Sequence, residues 1–350
     1  MTSRLSGLRE LRRPQVAVPS ARRGGMSQGR LLLVTLVLGC LAAIALSMVT
    51  NNAMLFVWYE VVVYALFAMS TNVVVGWNGV GTFGQALYFA SGAYTVGLLD
   101  HHGVSLPPEV LLLAGGFIAA VVGLFYGLIA VRTGAFAAMA MLTLMFAQAG
   151  YQVLYGVSFF GGADGLVGLT RGNLFGLSLA ANRTFDWYLV AVTTVCWYVL
   201  ARFRRSTVVH AMLAAKNDPI RAEAAGLSVR GIQRLGFVTS AFFAGIAGGL
   251  YAQVEGTISP DIAYWTISGT VLMMVILGGT HFLWGPPVGA LIYSWINFWL
   301  LGTTVDMNLY LGAILLFFVL FAPRGVSYFL VLAYRKIIGS NFVGKRRMKL

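Results

Sequence analysis

The chain has 350 residues, of which 59% are hydrophobic and only 10% charged, and it carries a net charge of +13 at pH 7. Several apolar runs approach the roughly 20 residues with which a helix crosses a bilayer core of about 30 Å, and this excludes a soluble globular domain. The short alternating segments of a membrane barrel are missing, so the predicted fold class is all-α, a polytopic transmembrane helical bundle.

In chain order, residues 1–30 form a basic tail with Arg4, Arg9, Arg12, Arg13, Arg22, Arg23 and Arg30, expected to be disordered on the anionic inner leaflet. Met26 stands as an alternative start just before the first apolar run. A membrane domain is expected over 31–325, with spans near 31–50, 54–73, 83–99, 109–131, 135–155, 186–203, 234–254, 264–279, 284–301 and 307–322. A second basic cluster, including Arg204, Lys216, Arg221 and Arg230, marks a segment over about 204–233. A third fills the tail 326–350 with Arg335, Lys336, Lys345, Arg346, Arg347 and Lys349.

This distribution reads as membrane topology rather than nucleic-acid binding. The positive-inside rule places all three clusters in the cytoplasm, which requires an even number of spans between each pair. Six candidate spans precede the central cluster and four follow it, so ten spans with both termini cytoplasmic satisfy the rule. The segment 156–185 then lies outside. The short Gly-rich runs 83–99 and 264–279 are candidate half-helices, which would reduce the count of full spans to about eight.

Chemical motifs are weak. Gly79-Val-Gly81-Thr-Phe-Gly84 fits GxGxxG but has membrane helix on both sides instead of a βαβ unit. Gly339 to Lys345 fits a P-loop except that Arg346 replaces the hydroxyl that would hold Mg²⁺. The chain is therefore expected to bind neither ATP nor Mg²⁺ itself. His101, His102, His210 and His281 show no ligand spacing with carboxylates, so no metal site is expected. Cys40 and Cys196 read as small buried hydrophobes. No nucleophile arrangement suggests an enzyme.

Among the 11 acidic residues only Glu60 falls well inside a predicted span. An intramembrane carboxylate is by default a functional candidate, here the coupling group of an ion-driven secondary transporter or channel. The competing reading is a carboxylate near the outer end that pairs with a tyrosine or a backbone donor, and the lack of a basic intramembrane partner favours it.

Glycine is more informative. The 42 glycines gather at Gly76 to Gly84, at Gly161-Gly162, at Gly278-Gly279 and at Gly285 to Gly289. Breaks at such points are tolerated in a membrane only where protein covers them or they line a path, so Gly76, Gly79, Gly81, Gly84, Gln85, Gly278 and Gly279 are candidate path residues. On the seventh span Ala241, Gly245 and Gly249 form one small-residue face and Ala244, Gly248 and Ala252 another, which predicts close helix packing on two sides.

Several of these runs carry a resemblance. Ala222-Glu-Ala-Ala-Gly226-Leu, Phe237 to Ala252, Ser259-Pro260, Val275-Ile-Leu-Gly278-Gly279 and Trp284-Gly-Pro286 resemble the permeases of branched-chain amino acid ABC importers, in their LivM-like branch. Earlier stretches are similar too, namely Gly76 to Ala86, Gly92-Ala-Tyr94, Thr143 to Gln148 and Gly161 to Leu166. Together they cover about 54–325. The chain departs from that pattern at Gln85, Phe160, Gln233 and His281-Phe282, which bears on substrate more than on class. Related permeases handle urea, short amides, other amino acids and small carboxylates.

The resemblance implies a multi-pass subunit of the cell inner membrane paired with a homologous second permease. Two cytoplasmic ATPase subunits would bind the ATP and Mg²⁺, and an extracytoplasmic solute-binding protein would deliver substrate. It implies a short coupling helix between about Asn217 and Val229. Pro219 suits its first turn, Glu223 can pair with a basic group on the ATPase, Ala222, Ala224 and Ala225 allow close approach, and Gly226 ends it. Asp164, Glu255 and Asp261 are expected on the outer face as docking or gating groups.

Overall fold

The computed structural model of the chain describes residues 52–104, 106–132, 136–174, 177–179, 182–301, 312 and 325–327. The expected tail 1–30, the span 31–50, the span 307–322 apart from residue 312, and the tail beyond residue 327 lie outside them.

The eight remaining candidate spans each coincide with a helix. These are α1 (Asn52–Asn72), α2 (Gln85–His101), α3 (Pro108–Ala130), α4 (Phe136–Gly156), α5 (Asn182–Phe203), then α8 (Val229–Glu255), α9 (Trp265–Gly278) and α10 (Gly285–Leu301). Between α5 and α8 lie two short helices, α6 (Thr207–Asn217) and α7 (Pro219–Ala224). Among the described residues the fold is all-α apart from two pairs of two-residue strands. In one pair β1 (Leu166–Val167) runs antiparallel to β4 (Thr257–Ile258), with Leu166 opposite Ile258; in the other β2 (Asn173–Leu174) turns back on β3 (Leu177–Ser178).

Five helical stretches among the described residues are long and apolar enough to cross a bilayer: Met54–Trp77, Pro108–Ala130, Ala137–Gly156, Arg183–Phe203 and Val229–Glu255. By contrast α9 has 14 residues, which at 1.5 Å per residue gives about 21 Å, less than a bilayer core. It stops where the sequence places a glycine pair.

α8 is the central helix, packing most heavily on α3 and α2 and also on α1. Its two small-residue faces explain this. A Cβ at Gly245 would overlap Ala119 of α3, and one at Gly248 would overlap the Phe89 carbonyl of α2. Between helices in lipid no hydrophobic effect drives association, so this close backbone approach supplies the packing. Aromatic rings fill the wider space nearby, with Phe67 stacked on Phe89 at 4.5 Å and Phe89 tilted against Tyr251 at 5.3 Å. Gly256, at φ +67°, ends α8 in the left-handed conformation that suits a helix C-terminus.

Candidate functional site

The first break begins at the end of α1. Directly after Asn72 the helix widens over Val73–Trp77 to a π-helical turn, in which the Asn78 amide reaches the Val73 carbonyl at 3.0 Å and the Val80 amide reaches Val74 at 3.1 Å. Such turns occur frequently at functional sites. The chain then runs without regular structure through residues 78–84. At membrane depth every backbone group here needs an internal partner, and side chains from distant helices provide several. The Phe83 amide donates to Thr143 Oγ1 at 3.1 Å and the Ala86 amide to Ser268 Oγ at 2.8 Å. Asn78 Nδ2 donates to the Gln233 carbonyl at 3.0 Å, while the Ser240 hydroxyl reaches the Ser70 carbonyl at 2.7 Å and Gln85 Oε1 at 3.1 Å. Gly76, Gly84 and Gln85 are buried, and Gly79 and Gly81 are half-buried.

The second break is the turn from α9 to α10. Gly279 stands at φ +99°, and Gly278 approaches the backbone of Gly285 so closely that a Cβ would overlap it. Ser327 donates to the Gly278 carbonyl, and Gly325 packs on Gly279. The two breaks adjoin: a Cβ at Gly76 would lie 3.1 Å from the Thr280 carbonyl oxygen. Around the first break Asn72 Oδ1, Asn78 Oδ1, Trp77 Nε1 and Gln85 Nε2 are buried with no protein hydrogen bond.

Two cations from the basic segment reach these breaks. Lys216 Nζ donates to the Gly76 carbonyl at 2.7 Å, and Arg204 Nη2 donates to the His281 carbonyl at 2.8 Å with its guanidinium 5.3 Å from the Trp77 ring centre. Burial pulls both groups below their ordinary pKa values. The sequence showed these residues only as positive-inside charge.

At the same end α6 starts on Ser206, whose hydroxyl accepts from the Val209 amide, and α7 starts on Asp218, whose carboxylate accepts from the Arg221 amide at 2.9 Å. These are N-caps, and Pro219 at the next position needs no donor there. Gly226, at φ +84°, follows the end of α7. Of the expected coupling residues, Glu223, Ala224, Ala225 and Gly226 are exposed, whereas Ala222 turns inward and packs with Ala215, Val229 and Leu227. The residue absent from the expected set is Ile220, an apolar side chain 81% exposed.

At the opposite end the β1–β4 pair ties the segment after α4 to the segment after α8. The 3₁₀ turns Gly162–Asp164 and Pro260–Ala263 meet there, with Asp164 and Asp261 exposed. Glu255 behaves differently. It is half-buried and lies within electrostatic reach of Glu60, Tyr64 and Tyr251. Glu60 is thus not an isolated acid. Beside this end a cavity of about 600 Å³ is bounded by Asp100, Thr170, Arg171 and Gln253; Asp100 accepts from the Thr170 amide at 2.7 Å, and Arg171 lies 4.2 Å from the Phe185 ring centre.

A helical membrane protein with two adjoining helix breaks deep in the bundle and a capped helix exposed at its basic end has the organisation of a transport permease. The comparisons with known proteins agree. Residues 53–322 match the family described as branched-chain amino acid transport system / permease component, and the chain belongs to that family. The high-affinity branched-chain amino acid transport system permease protein LivM of Escherichia coli (strain K12) is 29% identical over 298 residues, 78% of this chain and 68% of the relative. Its counterpart in Salmonella typhimurium is 28% identical over 291 residues, 76% and 67% of the two chains. No solved structure matches. The chain is therefore a multi-pass membrane permease component rather than an enzyme, and it works with other components of a transport system.

Proposed function

We propose that the chain is one permease subunit of an ATP-binding-cassette importer that moves branched-chain or related small amino acids across the cell inner membrane. The observation that carries this reading is α7, a rigidly capped helix with Ile220 and Glu223 exposed outside the apolar spans. Two cytoplasmic ATPase subunits engage it and bind the ATP and Mg²⁺, so this chain needs no cofactor. A homologous second permease completes the path, and a solute-binding protein docks at the end that carries Asp164 and Asp261. The coupling segment spans about 204–233 within a membrane domain over 31–325. With the two spans outside the described residues the count is ten, both basic tails being cytoplasmic.

The seam between the breaks suits a polar solute. Buried amide groups such as Gln85 Nε2 and Asn72 Oδ1 have no protein partner, and such groups cost about 1–3 kcal/mol each unless water or solute satisfies them. Gly76, Gly79, Gly81, Gly84, Gln85, Gly278 and Gly279 are the path residues in this reading. Urea, short amides and small carboxylates are the alternative cargoes within the family resemblance.

A second reading, an ion-coupled transporter, draws support from the neighbourhood of Glu60 with Glu255 and three tyrosines. One assay separates the two. Uptake of labelled leucine into proteoliposomes holding the chain with its ATPases, second permease and binding protein is expected to require internal or external ATP on the ATPase side and to ignore a proton gradient. Glu60→Gln is expected to keep uptake within about twofold and to hold or raise the thermal midpoint, because it removes a like charge beside Glu255. Gradient-driven uptake without ATP, abolished by Glu60→Gln in an intact protein, would establish the second reading instead.

A further inference from the structure

We propose that Lys216 and Arg204 are positioning residues that transmit displacement of the basic end to both helix breaks, so that one movement of α7 shifts Gly76 and His281 together. This rests on the coupling role given to α7 above, and it names the link between that helix and the path.

Lys216 occupies the last turn of α6, two residues before Asp218, the N-cap of α7. The two short helices are joined by a small apolar cluster of Ala215, Ala222, Val229 and Leu227. Asp218 stiffens the corner further through its bond to the Arg221 amide and a 3.1 Å ion pair with the Arg221 guanidinium. A push on the exposed face of α7 is therefore delivered to the end of α6 rather than absorbed at the corner. From there the lysine stem crosses to the first break. A Cβ at Gly79 would lie 2.5 Å from Lys216 Cγ, so the glycine serves two needs, the left-handed backbone at φ +72° and the space for the stem. The ammonium ends on the Gly76 carbonyl, at a helix C-terminus where a cation is favoured electrostatically.

Arg204 makes the parallel connection. It sits in the turn between α5 and α6 and holds the His281 carbonyl in the turn between α9 and α10. The α9–α10 turn touches the first break at Gly76 and Thr280. Coupling between sites travels through elements that move as units. Here two charge-assisted bonds, one from each end of α6, reach both sides of the place where the two breaks meet.

A lysine that merely capped α1 would affect stability alone, so the test reads solute moved per ATP hydrolysed. The complete complex is reconstituted in proteoliposomes with the parent chain, Lys216→Met, Lys216→Arg or Arg204→Met. In Lys216→Met, which keeps an apolar stem and loses the donor, the ratio is expected to fall about tenfold while ATP is still hydrolysed. Arg204→Met should lower it as well, and Lys216→Arg, which keeps a donor, should restore most of it. If Lys216→Met does not assemble, Lys216→Gln takes its place under the same criterion. A parental ratio in the Lys216 and Arg204 variants, with both rates unchanged or both reduced in proportion, overturns the link and leaves the importer reading intact. If the parent complex moves no solute on ATP, the importer reading fails and this inference with it.

Discussion

Gly248→Ala is expected to lose most of the folded protein, and Gly248→Leu all of it. Gly248 lies on α8, where it faces the Phe89 carbonyl of α2, and even a single added methyl would overlap that oxygen. The atom it meets is backbone, which cannot rotate away, so α2 and α8 would have to separate. Separation would also loosen the second small-residue face, since Gly245 on the same helix is set against Ala119 of α3. Ordinary overpacking costs about 1–3 kcal/mol, but displacing the most buried helix of a bundle belongs with the rare substitutions above about 4 kcal/mol. The measurement is the monodisperse fraction in detergent and its thermal midpoint. Gly269→Ala on α9 is the matched control, because nothing lies within 4 Å of a Cβ there; it should be neutral or stabilise by up to about 1 kcal/mol. A Gly248→Ala protein as stable as the parent would mean that α2 and α8 are not in close contact.

The packing of α8 was readable because its cause is local. Ala241, Gly245 and Gly249 recur every four residues, which places them on one helix face, and Ala244, Gly248 and Ala252 do the same on another. The helices themselves were readable because a bilayer leaves a long apolar run no other structure. Glycine marked both breaks. What the sequence lacked was their partners: Ser240 with Ser70, Asn78 with Gln233 and Lys216 with Gly76 come from remote parts of the chain, and no spacing rule connects them. Glu60 read as solitary for the same reason. Its neighbour Glu255 follows Tyr251 by four residues, a spacing that puts the two side chains on one face of α8. α6 is legible in the sequence as well, since Ser206 before an apolar-periodic stretch is an N-cap signal. Ile220 has no distinguishing mark in the sequence, being one isoleucine among many apolar residues; only its exposure sets it apart.

If α7 is the coupling helix proposed above, Ile220→Asp is expected to abolish both ATPase association and uptake while the chain still inserts and remains monodisperse. Asp218 and Pro219 fix its start, and Gly226 turns the chain away after its end, so the helix presents a preformed face and little ordering entropy is lost on docking. On that face Ile220 is the large apolar group and Glu223 the charge, while Ala222 is turned inward. A central apolar anchor of an interface typically contributes about 2–4 kcal/mol, so burying a carboxylate in its place weakens association by roughly 30- to 1,000-fold. Glu223→Arg should weaken it less and in a salt-dependent way, because an exposed charge is screened over about 10 Å at ordinary ionic strength. Ala222→Leu should act differently again, lowering the thermal midpoint through the α6–α7 cluster before it affects docking. Co-purification of the ATPase at low and high salt, together with the melting temperature of each variant, distinguishes these three effects. Full ATPase recovery and parental uptake with Ile220→Asp would remove α7 from the interface, and the site of coupling would then have to lie elsewhere on the basic end.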